Sequence, residues 1–246
     1  MRKTPIDAQA FSPPAYVKLI TSLRARGYEP RGYLDVDPSA RHLIIRHDVD
    51  FSLTAALSMA KLEAAASITS TYFILLRTEF YNAMSAEGFD ALDRIAALGH
   101  SIGLHFDAAL YARDGNVLDA AIARECGLLE YIVGKSVKVM SFHRPAPELV
   151  GEADEWAGRL NAYGPRFVRD MGYCSDSRGA WHNGAPLDHP AVQQGRALQL
   201  LVHPFWWQLP ALSPEERLQR FLAERSGFLD KELVRHCTVH RVSGTR

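Results

Sequence analysis

The residues with the clearest chemical potential lie in the stretch LIIRHDVD, from Leu43 to Asp50. An apolar strand runs directly into the letters RHDVD, where an ordinary strand end carries Gly, Asn or Ser. Residues i and i+2 of an extended chain point to the same side, about 6.5–7 Å apart, so Asp48 and Asp50 are predicted to face one pocket. The alternative is a solvated strand end that helps to cap the next helix. Two acids on one face, after an Arg-His pair, favour a functional site.

Three other strand-like runs, SIGLHFD, VKVMSFHR and RALQLLVH, also end in polar side chains, namely His105 and Asp107, His143 and Arg144, and His203. Carboxylate and imidazole groups together suit zinc and other divalent first-row metals. Such an ion polarises a carbonyl and lowers the pKa of a bound water to about 7. A second carboxylate can accept the proton of the water, and a second histidine can protonate a leaving nitrogen. The pattern therefore predicts metal-assisted hydrolysis.

Two features near these strand ends allow more than one interpretation. Arg144 is either a surface charge or an anchor for an acid, and the nearby pair of aspartates favours the anchor. Trp206 and Trp207, which follow His203 in LLVHPFWW, are either part of a core aromatic cluster or a wall that packs on a sugar ring. The sequence does not decide between these two roles for the tryptophans.

Strand-like and helix-like segments alternate along the chain, which predicts parallel strands with crossover helices. Helices are predicted over 12–28, 52–67, 88–99, 116–134 and 213–229, and strands over 42–47, 70–76, 101–107, 137–143 and 196–203. Polar residues at the ends of four strands favour a (β/α) barrel, whose strand ends converge on one face, over an open sheet. We expect one α/β domain over 1–246, with the helix of 12–28 packed on the barrel and 145–190 as a loop-rich excursion.

Composition excludes several classes of protein. Of the 246 residues, 47% are hydrophobic and 23% are charged, and 28 basic residues balance 28 acidic ones, so neither disorder nor a nucleic-acid partner is predicted. No apolar run approaches the roughly 20 residues of a membrane helix. Cys126, Cys174 and Cys237 have no CxxC spacing, and the N-terminal residues lack a signal-like apolar segment. We therefore expect a cytoplasmic protein with no transmembrane segment.

The chain resembles the polysaccharide deacetylases, or NodB-homology carbohydrate esterases, across nearly its whole length. The motifs that carry the resemblance, in order, are RHDVDFSLTAALSMAKLE, STYFILL, FYN, GHSIGLHFD, SFHRP, SDSRGAW and LVHPFWW. It is closest to a cytosolic-type branch with RHDVD first and GLH second. The resemblance implies a distorted (β/α) barrel of about seven parallel strands and a divalent metal cofactor, most often Zn²⁺.

The resemblance also implies roles for individual residues. In the Asp-x-Asp version of the first motif, Asp48 resembles the general base and Asp50 a metal ligand. The second motif supplies two histidine ligands four residues apart, of which His105 matches the first. Ala109 stands at the second position and cannot bind a metal.

One ligand is therefore missing at that position, and His143 is the first candidate for it and Asp107 the second. The arginine of the third motif, which orients the base, matches Arg144. The fifth motif makes His203 the catalytic acid. The residues expected to line the substrate are Asp107, Asp176, Trp181, Trp206 and Trp207.

The expected function is a metal-dependent hydrolase that removes an N-acyl group, acetyl or formyl, from an amino sugar or a surface-polysaccharide precursor. Its partner would be a small-molecule or lipid-linked acylated sugar. Ala109 leaves open a metal-free carbohydrate-binding pseudoenzyme on the same scaffold. A hydrolase that opens a cyclic imide or cleaves another small amide is a further alternative, because one fold hosts many functions.

Overall fold

The structure is a computed structural model that describes residues 11–182, 184–209 and 212–239. The two ends of the predicted domain over 1–246, and with them the N-terminal residues used to exclude a signal segment, lie outside these ranges. The strands in the described residues are β1 (Glu29–Pro30), β2 (His42–Val49), β3 (Thr71–Leu75), β4 (Ser101–Phe106), β5 (Val139–Phe142), β6 (Glu155–Trp156), β7 (Arg159–Asn161), β8 (Gly172–Ser175) and β9 (Leu198–Val202).

Helices follow most of the long strands. They are α1 (Pro13–Ala25), α2 (Leu53–Ala65), α3 (Ala86–Ala97), α4 (Gly115–Val133), α5 (Pro165–Val168), α6 (Pro190–Gln193) and α7 (Pro214–His236). Side chains cap their amino ends as the sequence predicts, since Ser52 accepts a hydrogen bond from the amide of Ala55 and Ser213 forms a capping box with Glu216. Helix α7 continues seven residues beyond its predicted end at position 229.

The strands form one sheet in the order β6-β7-β5-β4-β3-β2-β9-β8, and β1 pairs with the start of β2. The ladders are parallel except for β6 with β7, so the described residues contain seven consecutive parallel strands, from β7 to β8. The prediction of an α/β fold with about seven parallel strands is confirmed. No ladder between described residues joins β8 to β6 or β7, so the sheet is a curled half-barrel rather than a closed barrel.

The loop-rich excursion predicted over 145–190 contains part of the sheet. Strands β7 and β8 lie in this segment and extend the sheet at opposite ends. They have only three and four residues, and neither carries a clear apolar run. This is the physical reason that the sequence pattern did not predict them.

Alternation along β2 divides its side chains between the inside and the outside of the curled sheet. Leu43 and Ile45 face outward and belong to a buried cluster with Tyr16, Ile20 and other α1 side chains. On the inside, Ile44 belongs to a buried cluster that also contains Phe73 and Val139. This apolar cluster fills the amino-terminal half of the sheet interior, below the strand ends.

Inside residues nearer the carboxyl end of β2 are polar, and they begin with a buried Arg46. The interior therefore changes along the strand direction from apolar packing to ionisable groups. Among the described residues, no helix has both the length and the apolar character needed to cross a bilayer.

Candidate functional site

The carboxyl ends of β2, β4, β5 and β9 lie next to one another because these strands are parallel. Asp50 comes directly after β2, and His105 is the second-to-last residue of β4. His143 comes directly after β5, and His203 comes directly after β9. The structure brings these four side chains together at one end of the sheet. Asp50 and His203, which are 153 positions apart in the sequence, thus share one site.

Asp50, His105 and His143 form a compact set of potential metal ligands. The Oδ1 atom of Asp50 lies 3.3 Å from His105 Nε2 and 3.5 Å from His143 Nδ1. The two imidazole nitrogens are 3.2 Å apart, and one ligand atom from each residue lies within 4.8 Å of the others. Asp50 Oδ1 is buried and has no hydrogen-bond partner of good geometry among the described residues. A carboxylate and two imidazoles that point at the same small volume fit a divalent ion.

The His105 ring is held from behind by the serine of β5. Ser141 is fully buried, and its Oγ lies 2.7 Å from His105 Nδ1. This contact turns the Nε2 atom of His105 toward Asp50, as an outer partner of a metal-binding histidine does. Ser141 is not among the residues predicted to form the site. The alternation of β5, which places positions 141 and 143 on the same side, was the signal that could have identified it.

Electrostatics keep Asp50 ionised. Burial alone raises the pKa of this carboxyl, but the imidazoles of His105 and His143 close to its Oδ1 and the charge of His203 lower the pKa well below its usual range. His203 Nε2 lies 3.8 Å from Asp50 Oδ2. Asp50 therefore carries a negative charge at neutral pH, the form that binds a cation.

Asp48 is held by an arginine of its own strand. The Nε and Nη2 atoms of Arg46 donate to the two carboxylate oxygens of Asp48 at 2.8 and 2.9 Å, and both residues are buried. Burial raises the pKa of Asp48, but the positive charge of Arg46 and the nearby His105 outweigh it, so this pKa lies below its ordinary value. Asp48 Oδ2 also lies 3.5 Å from His105 Nε2, which places a second carboxylate beside the potential ligand set.

Aromatic rings stabilise Arg46 in the interior. Its guanidinium carbon lies 4.4 Å from the ring centre of Tyr163 and 5.2 Å from that of Phe73. Arg46 belongs to the Arg-His pair before Asp48 but is not among the residues predicted to form the site. The spacing of two residues on one strand was sufficient to place Arg46 and Asp48 on the same side.

The expectation that Arg144 anchors one of the two strand-end aspartates is wrong. Its Nη2 atom lies 3.2 Å from Asp107 Oδ2, and its side chain is 75% exposed. Arg144 is the second residue after β5 and has a positive φ of 46°, an uncommon backbone conformation for a residue other than glycine. The anchoring position is occupied by Arg46.

Asp107 and Ala109 lie beyond the ligand set. Asp107 Oδ1 accepts a hydrogen bond of 3.0 Å from the amide of Ala109, and its other oxygen contacts Arg144. Ala109 is exposed in a short 3₁₀ turn after β4. Of the two candidates for the missing ligand, His143 lies next to Asp50 and His105. The carboxylate oxygens of Asp107 instead contact the amide of Ala109 and the side chain of Arg144.

His203 forms a second polar pair with Asp176, the residue that directly follows β8. Its Nδ1 lies 2.6 Å from Asp176 Oδ1, and its backbone amide also donates to this carboxylate. Burial by itself lowers the pKa of His203, but the charge and hydrogen bond of Asp176 raise it, with help from Asp50, to about 9. His203 is therefore protonated at neutral pH, with Nε2–H on the side of Asp50.

The predicted aromatic wall is part of the core. Trp206 and Trp207 are buried in the cluster that includes α1, and Trp207 donates through Nε1 to Asp176 Oδ2 at 2.7 Å. Trp181 is half-buried and stacks on Phe11 at 5.8 Å. Asp176 is 0% exposed. Asp176, Trp206 and Trp207 therefore have almost no surface for a substrate, because hydrogen bonds from His203 and Trp207 occupy both oxygens of Asp176 and ring packing covers the two tryptophans.

The chain is similar to several solved structures at low sequence identity. No protein-family model matches it, and no curated protein sequence matches it. A solved family 4 carbohydrate esterase from Bacillus anthracis is 16% identical over 85% of this chain and 86% of its own, with a TM-score of 0.42. The Streptococcus pyogenes deacetylase PplD, solved in complex with acetate, is 11% identical over 89% of this chain and 92% of its own, with a TM-score of 0.46.

A family 4 acetyl xylan esterase from Clostridium thermocellum, solved in complex with a cobalt ion, is 14% identical. That match covers 75% of this chain and 83% of the esterase, with a TM-score of 0.39. The identities of these matches lie below 25% and their TM-scores below 0.5, so they assign neither a family nor an activity to this chain.

Proposed function

We propose that the chain is a metal-dependent hydrolase that removes an N-acyl group, acetyl or formyl, from an amino sugar or a surface-polysaccharide precursor. The observation that carries the proposal is the set Asp50, His105 and His143, with Asp48 close to His105 as a candidate base and His203 close to Asp50 as a candidate acid. The sugar substrate rests on the resemblance of the sequence motifs to carbohydrate deacetylases. A cytoplasmic location and a small or lipid-linked acylated sugar as partner are parts of the same proposal.

Asp50, His105 and His143 would hold a divalent ion, with zinc as the first choice for two imidazoles and one carboxylate. The unpartnered Oδ1 of Asp50 supports this fit, since a buried carboxylate oxygen without a donor is costly unless a cation is bound. When bound, such an ion acts as a Lewis acid on the acyl carbonyl and on water.

Asp48 is the proposed general base. Arg46 keeps it ionised and fixes both of its oxygens, so it can accept the proton that water loses on attack at the acyl carbon. The new C–O bond replaces the C–N bond of the amide, and the amine leaves. Arg46 has no contact with the reacting groups in this scheme and is a positioning residue.

His203 is the proposed general acid. It holds a proton on Nε2, while Asp176 accepts from Nδ1 and fixes the ring. The Nε2 proton can pass to the departing nitrogen as the C–N bond breaks, which yields the free amino sugar and a carboxylic acid. This arrangement assigns opposite protonation states to Asp48 and His203 at the same pH, as acid–base catalysis requires.

The metal-free pseudoenzyme and the cyclic imide hydrolase remain as alternatives to be separated by experiment. The pseudoenzyme was suggested by Ala109, and the position of His143 beside the other two ligands favours the metal enzyme over it. No described residue favours a cyclic imide over an acylated sugar.

The test is metal analysis of the purified full chain together with release of acetate or formate from a panel of N-acylated amino sugars. We expect about one metal per chain, activity that a chelator abolishes, and loss of activity in Asp48→Asn. Asp90→Asn, an exposed surface change, is the matched control. Undiminished turnover by Asp48→Asn would remove Asp48 as the base, and a metal-free protein that binds glycans without hydrolysis would favour the pseudoenzyme.

A further inference from the structure

A tyrosine in the loop after β3 reaches the carboxyl end of β2. Tyr81 belongs to the FYN motif, and the proposed reaction gives it no role. Its hydroxyl donates a hydrogen bond of 2.8 Å to the backbone oxygen of Val49 and accepts one of 2.9 Å from the amide of Leu75. One phenol group therefore binds the backbones of two neighbouring strands.

The two contacts of the Tyr81 hydroxyl lie where the ladder between β2 and β3 ends. The last pair of this ladder is Val49 with Ile74, and Leu75 is the final residue of β3. Val49 and Leu75 are both buried, and buried backbone groups require hydrogen-bond partners. Tyr81 supplies a partner to one carbonyl and one amide, and it thereby joins the strands beyond their last ladder pair.

The backbone that Tyr81 holds leads directly to the potential metal ligands. The carbonyl of Val49 and the amide nitrogen of Asp50 belong to one planar peptide unit, so a bond to this carbonyl fixes the orientation in which the chain enters Asp50. Asp50 lies one residue beyond β2 and outside the printed ladder. Its Oδ1 lies 3.3 Å from His105 Nε2 and 3.5 Å from His143 Nδ1, and a rotation of the peptide would change both distances.

The loop that carries Tyr81 is held by hydrogen bonds of its own. The Oδ1 atom of Asn82 accepts from the amide of Met84 at 2.9 Å, and the hydroxyl of Ser85 donates to the carbonyl of Asn82 at 2.7 Å. Gly88, in the first turn of α3, lets this turn approach the helix, because a Cβ there would collide with the carbonyl of Asn82. The Tyr81 ring packs against the buried cluster to which α2, α3 and α4 contribute.

We propose that Tyr81 is a positioning residue of the metal site, which aims the carboxylate of Asp50 at His105 and His143 through the Val49–Asp50 peptide. This inference rests on the proposed function, because it concerns the metal that the reaction requires. Both hydrogen bonds of the hydroxyl described above are to backbone atoms, so Tyr81 acts through Asp50 and is not itself a ligand.

The competing role for Tyr81 is contact with the substrate. Its side chain is only half-buried, and it lines a cavity of about 540 Å³ together with Phe51 and Phe80. A substrate contact would affect binding of the substrate, whereas a positioning residue would affect binding of the metal. The two roles therefore predict different measurements on the same variant.

The first test measures the zinc affinity of the full chain by competition with a chromogenic chelator, without any substrate. Tyr81→Phe removes the hydroxyl and keeps the ring that packs in the core. Loss of an outer partner of a metal ligand weakens metal binding by about 10–100-fold, and we expect a loss in this range. Circular dichroism checks that the variant is folded.

Tyr28→Phe is the matched control. Tyr28 is also buried, and its hydroxyl donates to the backbone oxygen of Arg196 at 2.6 Å, before the amino end of β9 and thus at the other end of this strand from His203. Both variants lose a hydroxyl that binds the backbone, so urea unfolding should show both to be less stable. Only Tyr81→Phe should bind zinc more weakly.

Steady-state kinetics at saturating zinc complete the test. We expect Tyr81→Phe to lower kcat while KM changes little. A raised KM with wild-type zinc affinity would make Tyr81 a substrate contact and overturn the positioning role. Equal zinc affinity in the wild type, Tyr28→Phe and Tyr81→Phe would overturn this role alone, whereas a wild-type chain that binds no zinc would overturn the proposed function with it.

Discussion

Arg46 and Asp48 lie two residues apart on β2 and form a two-point ion pair inside the curled sheet, with N–O distances of 2.8 and 2.9 Å. Both side chains are buried, and neither oxygen of the carboxylate is free to rotate away from the guanidinium. One strand thus supplies the base candidate and the group that fixes it. Asp50, the next inside residue of the same chain segment, reaches the potential metal ligands.

Loss of Arg46 should be costly for both stability and activity. Arg46→Gln leaves the Asp48 carboxylate buried without its partner, for which we expect destabilisation of about 3–5 kcal/mol. Misplacement of a general base should lower kcat/KM by about 10²-fold or more. Urea unfolding and steady-state kinetics measure the two effects.

Arg144→Gln is the control for that experiment, because this exposed arginine makes its one ion pair within the described part of the chain with Asp107, and such a pair is worth about 1 kcal/mol or less. Comparable losses of activity from both arginine variants would contradict the assignment of the anchoring role to Arg46.

Metal binding should depend on His143 and not on Asp107. His143→Ala removes one of three converging ligand atoms, whereas Asp107→Asn changes a turn and an ion pair. Changes to outer partners of metal ligands weaken binding by about 10–100-fold, so loss of a ligand should exceed about 100-fold. Competition with a chromogenic chelator measures both variants. Full zinc affinity in His143→Ala would show that another residue completes the site.

The activity should fall as the pH rises through about 9, because His203 then loses the proton that the acid role requires. In Asp176→Asn the main group that raises this pKa is lost, so the basic limb of the pH–rate profile should move toward the ordinary histidine value of about 6.5. A basic limb in the same place in both proteins would argue against His203 as the acid.

The raised pKa of His203 also predicts how the stability of the fold changes with pH. His203 has a higher pKa in the folded chain than in the unfolded chain, so its protonation favours the folded state. The contribution is complete below about pH 6.5 and is lost as the pH rises through about 9. Denaturant unfolding of the chelator-treated protein between pH 6 and 10 should show a decline that Asp176→Asn reduces.

Gly103 of β4 should tolerate no side chain. A Cβ at this position would lie 2.7 Å from two ring atoms of Phe73 and 3.0 Å from the carbonyl oxygen of Val139. Since Phe73 is fully buried, Gly103→Ala should destabilise the fold by about 1–3 kcal/mol. Gly127→Ala, in α4 with no atom within 4 Å of the new Cβ, should instead stabilise it by about 0.5–1 kcal/mol. Thermal unfolding of the pair tests this prediction, and equal melting temperatures would contradict it.

Much of the fold could be predicted because its long elements carry strong local patterns. Strands β2, β3, β4, β5 and β9 are rich in apolar residues and almost continuously buried, which is typical of parallel strands covered on both faces. Helix ends are marked by serine caps, as at Ser52. Strands β7 and β8 were not predicted because three or four residues are too few to show the alternation of apolar and polar residues that marks a strand.

By itself, the sequence determined which residues could do chemistry and on which strand ends they stand. The spacing of Asp48 and Asp50 predicts a shared side, and parallel strands predict that His105 and His143 end near them. These inferences depend only on chain geometry within one strand or between strands of known direction.

Only the tertiary structure determined which side chain forms a hydrogen bond or an ion pair with each of these site residues. Arg46 rather than Arg144 holds Asp48, Ser141 orients His105, and Asp176 lies buried behind His203. Trp206 and Trp207 lie in a buried hydrophobic cluster and do not form a wall for a sugar substrate. The physical reason is that hydrogen bonds and ring packing act over about 3–6 Å, a scale set by the relative placement of elements and not by sequence order.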